Sequence, residues 1–162
     1  SRDVENPFDW TEKEKEEQDI VTQDIAATLR ELGVPYELEG PATFRAGNVE
    51  HLLSNFRFDT VDDLKVADSL HPTPAVCGLP KSEAHAFIKE NEGYDRKFYA
   101  GVIGWKNEQE TALYVNLRCA ELTKNRIDCF VGGGITKDSV VDREWEETDF
   151  KSRTLLSIMK KN

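Results

Sequence analysis

Apolar residues recur along this chain with two different periods. Val21, Ile25, Leu29 and Leu32 fall at helical spacing and predict a helix running from about Thr11 to Leu32. Thr11 with Glu14 fits a capping box at its start, and Gly33 followed by Pro35 supplies the stop. Glu17 lies one turn before Val21 on the same stripe and is placed to look inward, whereas most of the run Glu12 to Glu17 suits a solvated face. Ser1 to Trp10 reads as an irregular lead-in. Tyr36 to Phe58 alternates but contains Gly40, Pro41 and Gly47, so it predicts short strands with turns or bulges.

Thr60 with Asp63 predicts a second helix, from Thr60 to Leu70. The stretch His71 to Pro80 holds three prolines and is expected to be irregular. Lys81 to Glu92 reads as a helix that begins just after Pro80 and ends at Gly93. Phe98 to Trp105 predicts a strand. Thr111 to Ala120 predicts another, with Leu113, Val115, Leu117 and Cys119 facing the core and Arg118 on the opposite, solvent or pocket face. Ile127 to Val131 is expected to pair with it through a short loop at Lys124 and Asn125, and Gly132 to Gly134 follow. Ser139 with Asp142 suggests a further capping box for a last helix reaching about Met159. Helices and hairpins in blocks predict an α+β (layered α/β) fold, mostly antiparallel sheet with helices packed on it.

Composition narrows the function classes. With 162 residues, 38% hydrophobic and 32% charged, the chain suits a folded protein with a core. No apolar run approaches the roughly 20 residues of a membrane span, and no signal-peptide core precedes Trp10, so a cytoplasmic protein without a membrane partner is expected. A net charge of −10 argues against nucleic acid as a partner. A small anionic ligand remains compatible, provided a metal ion or a few inward-facing cations meet it. The three cysteines, Cys77, Cys119 and Cys129, lack CxxC spacing and read as free thiols.

Two carboxylate groupings stand out: Glu17 on the first helix, and Glu144 with Glu147 on the last, where Lys151 shares their face. Carboxylates from separate elements are what an oxygen-preferring ion such as Mg²⁺ requires. On spacing alone, ordinary surface charge is the commoner explanation in a chain with 31 acidic residues. Arg118 near a glycine-rich turn could grip a carboxylate through its guanidinium fork, or could be a surface residue beside a turn. His71, bracketed by prolines, could be a fixed ligand contact or could cap a turn. The glycine run lacks the GK[ST] of a phosphate-binding loop.

Taken in order, several segments resemble the chorismate-binding enzyme family. EKEKEEQDIV is similar to its Lys-x-x-x-Glu-His helix motif, LHPTPAVCGLPKSEA to its Pro-rich turn, and FYAGVIGW to its Tyr-x-Gly-x-x-Gly-aromatic segment. VNLRCAEL, FVGGGITKDSV and EWEETDFK follow in the family's order, so the likeness runs from about Trp10 to Met159. Gln18 stands where the family often has His. Within the family the wording HPTPAVCG is most similar to isochorismate synthases, in which water adds at C2 of chorismate and the C4 hydroxyl leaves, feeding menaquinone or catechol siderophore synthesis.

The resemblance implies that Glu17 and Glu147 bind Mg²⁺ with help from Glu144. It implies that Arg118 and Lys151 contact substrate carboxylates, and that His71, Tyr99 and Gly134 line the pocket. It implies that residues 1–162 are the C-terminal segment of a chorismate-binding domain. The family's base lysine and acid glutamate lie in an upstream half, so no catalytic acid or base is assigned in this chain, which is expected to be inactive alone. The full enzyme is expected to be a monomer and the fragment to expose apolar surface and self-associate. Two alternatives stay open: a sibling enzyme making salicylate, anthranilate or aminodeoxychorismate, and a non-catalytic binding domain of the same fold.

Overall fold

A computed structural model describes residues 2–3, 9–46, 49–59 and 62–159, and the chain divides into two units, Ser1–Ala75 and Val76–Asn162. In the first unit the predicted helix is α1, Glu12–Glu31. Thr11 is its N-cap: the hydroxyl accepts the Glu14 N–H at 3.4 Å, and the Glu14 carboxylate accepts the Thr11 N–H at 3.0 Å. Such reciprocal capping is worth about 1 kcal/mol. The helix buries Ala26 and Leu29, the latter completely, while Val21, Ile25 and Leu32 are half-buried.

Three strands, β1 (Arg2–Asp3), β2 (Glu37–Ala46) and β3 (Val49–Arg57), form an antiparallel sheet in the order β1-β3-β2. The expected irregular lead-in thus contributes a paired segment, with Arg2 opposite Glu50 and Asp3 opposite Val49. The expected short strands are instead two long ones, because a single irregularity between Glu39 and Ala42 absorbs Gly40 and Pro41. Gly40 has φ +102°, and a Cβ there would meet the Leu53 carbonyl oxygen at 2.6 Å. The expected turn at Gly47 lies outside the described residues.

Polar side chains tie α1 to this sheet. Gln18 donates its amide to the Ser54 hydroxyl at 3.1 Å, and the Thr22 hydroxyl lies 3.2 Å from the same oxygen. The Trp10 indole donates to the Thr43 hydroxyl at 2.8 Å. The residue that replaces the family's frequent His therefore anchors α1 to β3. The next helix, α2, spans Asp63–Leu70 and is capped by Asp62, whose carboxylate accepts the Lys65 N–H. The expected cap at Thr60 lies outside the described residues.

A single helical turn, α3 (Pro74–Cys77), interrupts the stretch expected to be irregular. Pro74 is its first residue, where a missing N–H is harmless. The second unit continues with α4 (Lys81–Asn91), beginning after Pro80 as expected. The hairpin of β4 (Val102–Lys106) and β5 (Thr111–Val115) follows, then that of β6 (Cys119–Leu122) and β7 (Ile127–Phe130), and finally α5 (Val141–Met159).

Both long strands predicted here are cut short. Ala100 at φ +62° and Arg118 at φ +52° adopt left-handed backbone, which no apolar/polar alternation announces. Phe98 to Gly101 is a turn pinned to Asn116, with Ala100 N–H donating to Asn116 O at 2.9 Å and Asn116 N–H to Gly101 O at 2.8 Å. The expected core face of Thr111 to Ala120 is only partly covered, since Leu117 is 50% exposed. Phe98, Trp105 and Tyr114 are exposed as well, matching the expectation of uncovered apolar surface. Helices with antiparallel hairpins confirm the α+β class. Among the described residues no helix is long and apolar enough to cross a membrane.

Candidate functional site

In the second unit, the turn after β7 and one face of α5 converge on a single point. The expected capping box of α5 is absent: the Ser139 hydroxyl accepts the Thr136 N–H at 2.9 Å and so ties off the preceding loop. The helix begins at Val141, and its heptad spacing aligns Glu144, Glu147 and Lys151. Lys151 Nζ lies 2.9 Å from Glu147 Oε1 and donates to the Gly132 carbonyl at 2.9 Å. A Cβ placed on Gly133 would stand 3.4 Å from Glu147 Oε2, 3.6 Å from Glu144 Oε2 and 3.9 Å from Lys151 Nζ. Two carboxylates and an ammonium thus lie within ordinary contact distance of one point beside the turn.

Burial gives the cluster its electrostatic weight. Glu144 is the only charged residue buried among those described, at 8% exposure, and the Lys151 side chain is 15% exposed. Opposite charges in such partly dry surroundings interact more strongly than on an open surface.

Tyr99 closes the turn from the other side. A Cβ on Gly132 would meet the Tyr99 phenolic oxygen at 2.5 Å. The ring stacks on Phe130 of β7 at 6.0 Å and 28°, and the Arg96 guanidinium lies 5.7 Å from its centroid. Burial pushes the phenol above its ordinary value of 10.0, while the Arg96 charge pulls the other way. The phenol is therefore a neutral hydrogen-bond donor at physiological pH. Glu92 and Arg96 brace this side: Arg96 Nε donates to Glu92 Oε2 at 2.6 Å, a second guanidinium nitrogen pairs with Glu92 Oε1, and Nη1 reaches the Val76 carbonyl at 3.3 Å. Sequence reasoning missed Arg96, Glu92, Gly132 and Gly133. The signal available was position: Arg96 precedes Tyr99 by three residues, and the two glycines open the run already noted.

Arg118 sits between β5 and β6, half-buried, and among the described residues its guanidinium has no ion pair. A left-handed arginine carries a backbone cost of about 1–3 kcal/mol, which is the kind of strain that functional positions retain. Gly134 is exposed with open space around its Cα. In the first unit, Glu17 is half-buried, with Lys13 at 3.7 Å, and the His71 Nδ1 is buried without a hydrogen bond among the described residues. That unit also holds an open hollow of about 460 Å³ lined by Pro35, Tyr36, Glu37, Arg57, Phe58 and Asp59, which includes no residue the sequence singled out.

Among the described residues, no three His, Cys, Asp or Glu side chains gather as a ready-made metal cage. The donor set at Gly133 still fits Mg²⁺, which takes hard oxygen ligands and is commonly held by one or two carboxylates with the remainder from water or substrate. Glu144 and Glu147 supply such a pair.

Known proteins bear on this arrangement. Residues 5–160 match the family described as chorismate binding enzyme. Over 97% of its length the chain is 33% identical to the isochorismate synthase EntC of Escherichia coli (strain K12), and it spans 41% of that relative. It superposes with a TM-score of 0.81 and 30% identity on a structure described as a 2,3-dihydroxybenzoate-specific isochorismate synthase, DhbC, from Bacillus anthracis, covering 94% of this chain and 42% of that one. The menaquinone-specific isochorismate synthase MenF of Escherichia coli gives 0.79 and 31%, covering 90% of this chain and 34% of that one. With nearly its whole length matched in sequence, and its mixed helix and antiparallel sheet matched in space, the chain belongs to the chorismate-binding enzyme family.

Proposed function

We propose that this chain provides the carboxylate- and metal-binding part of a Mg²⁺-dependent isochorismate synthase. The observation that carries the reading is the convergence of Glu144, Glu147 and Lys151 on Gly133, in a chain 33% identical to an isochorismate synthase over 97% of its length. Glu144 and Glu147 hold the ion. When bound, Mg²⁺ supplies Lewis-acid charge that neutralises and orients an oxygen-rich substrate.

The chain's own residues do the rest. Chorismate carries two carboxylates, which an acidic protein of net charge −10 accepts only against local cations. Lys151, held between Glu147 and the Gly132 carbonyl, is an ammonium that can turn toward one carboxylate. Arg118 offers a bidentate fork to the other. Tyr99 donates a neutral phenolic hydrogen bond at the edge of the turn, and Gly132 to Gly134 let the substrate approach backbone N–H groups.

Titrating chorismate calorimetrically into the chain, with and without Mg²⁺ and beside Glu147→Gln, tests the reading. Binding is expected only with Mg²⁺ and is expected to vanish in the variant. Binding indifferent to Mg²⁺, or retained in Glu147→Gln, overturns the metal assignment. No binding at all overturns the proposal that this segment holds the substrate.

A further inference from the structure

Tyr99 is placed by groups outside the carboxylate cluster. Its ring has Phe130 stacked against it at 6.0 Å and the Arg96 guanidinium at 5.7 Å from its centroid. Arg96 itself has little freedom. Two of its nitrogens engage the Glu92 carboxylate at the end of α4, and a third donates to the Val76 carbonyl. Tyr94 approaches the same Phe130 ring at 6.3 Å. The chain of support runs from the C-terminus of α4, through Arg96 and the Tyr99 ring, to the point where the phenol meets Gly132. Gly132 in turn accepts the Lys151 ammonium.

We propose that Arg96 is a positioning residue for the substrate site: clamped by Glu92 and the Val76 carbonyl, it presses the Tyr99 ring toward Phe130 and fixes the phenol over the Gly132 turn. A cation over an aromatic face is attracted by the ring quadrupole, and planar Arg suits this better than Lys. The Glu92 fork removes the rotational freedom that Arg96 would otherwise lose on holding the ring. This proposal rests on the reading of Tyr99 as a substrate contact.

Two readouts on this chain separate the proposal from that reading. With tyrosine ring carbons labelled and the Tyr99 signal assigned by its loss in Tyr99→Phe, NMR reports the ring's environment directly. In Arg96→Met the Tyr99 signal is expected to move toward the value of an unstacked ring, and in Arg96→Lys to move only part of the way. Glu92→Gln, which keeps the arginine and loosens its clamp, is expected to give a smaller shift of the same sign, and it decides the matter if Arg96→Met fails to fold. Chorismate affinity in the presence of Mg²⁺ is expected to weaken roughly tenfold in Arg96→Met and to recover partly in Arg96→Lys. An unmoved Tyr99 signal in the folded variants overturns the proposal, whether or not chorismate binds. A moved signal with unchanged chorismate affinity also overturns it, because the ring would then be held for packing alone. If the unaltered chain binds no chorismate while the Tyr99 signal responds, the functional reading fails and the clamp stands.

Discussion

Helices α1 and α5 both carry carboxylates that the sequence marked as metal ligands, yet they are built differently. Helix α1 is self-sufficient at its start, with both halves of the capping box made, and it buries apolar residues, Leu29 completely. Helix α5 has its expected cap diverted to Thr136, and among its described side chains the buried one is a glutamate, Glu144. The first helix is an element of its unit's core that also bears Glu17. The second holds a polar cluster, in which Glu147 and Lys151 answer each other and the turn at Gly132 rather than an apolar core. A helix whose buried position is charged has given up packing energy, and such a sacrifice is expected where a ligand must be met.

Substitutions can break or sharpen this contrast. The largest effect is expected from Leu29→Ala, which empties a fully buried position and should cost about 2–5 kcal/mol in urea unfolding. A cost below roughly 1 kcal/mol would mean that α1 is no more a core helix than α5. Lys151→Met comes next: it strips Glu147 and the Gly132 carbonyl of their donor and should cost roughly 1–3 kcal/mol together with chorismate binding. A melting curve beside the calorimetric titration reads both, and a stabilised variant would show that the ammonium contributes nothing to holding the turn. Thr11→Ala should cost about 1 kcal/mol and reduce helix content by circular dichroism, since the α1 cap is complete.

Arg118→Gly should change stability by less than about 1 kcal/mol, because glycine accepts the left-handed backbone without strain, while removing chorismate binding. Loss of stability and binding together would make Arg118 a structural residue. The smallest effect is acid dependence at the Tyr99 brace. The Arg96 guanidinium holds the Glu92 carboxyl below its usual value of 4.5. A depressed carboxyl contributes stability that is present above the unfolded value and lost as pH falls through the lower folded one. Stability measured downward from pH 5 should therefore fall less steeply in Arg96→Met than in the unaltered chain.

Much of this was legible beforehand. The helix at Thr11 to Leu32, its capping box and the helix after Pro80 follow from local signals: side-chain periodicity, a hydroxyl three residues before a glutamate, a proline that cannot sit inside a helix. The loop at Lys124 and Asn125 does join two paired strands, but the partner of Ile127–Phe130 is the separate strand β6, while the strand from Thr111 pairs with β4. The strands from Phe98 and from Thr111 were drawn too long because Ala100 and Arg118 turn left-handed without a glycine to announce it. The turn at Ala100 is held by the bonds of Asn116 to Gly101, to Ala100 and to the Phe98 carbonyl, which are contacts across the chain. The cap assigned to Ser139 failed for a local reason: its hydroxyl accepts the Thr136 N–H three residues before it, and α5 begins only at Val141.

At the site, spacing along α5 was enough to align Glu144, Glu147 and Lys151, because i, i+3 and i+7 share a helix face whatever surrounds it. It could not say that the three meet a glycine turn, that Glu144 is buried, or that Arg96 and Glu92 brace Tyr99. The sequence by itself determined the family and the helical face on which the carboxylates lie, since both are properties of residue order. Only the tertiary structure decided which of those groups surround a common point, because burial and charge pairing depend on distances between segments that the order of residues does not contain.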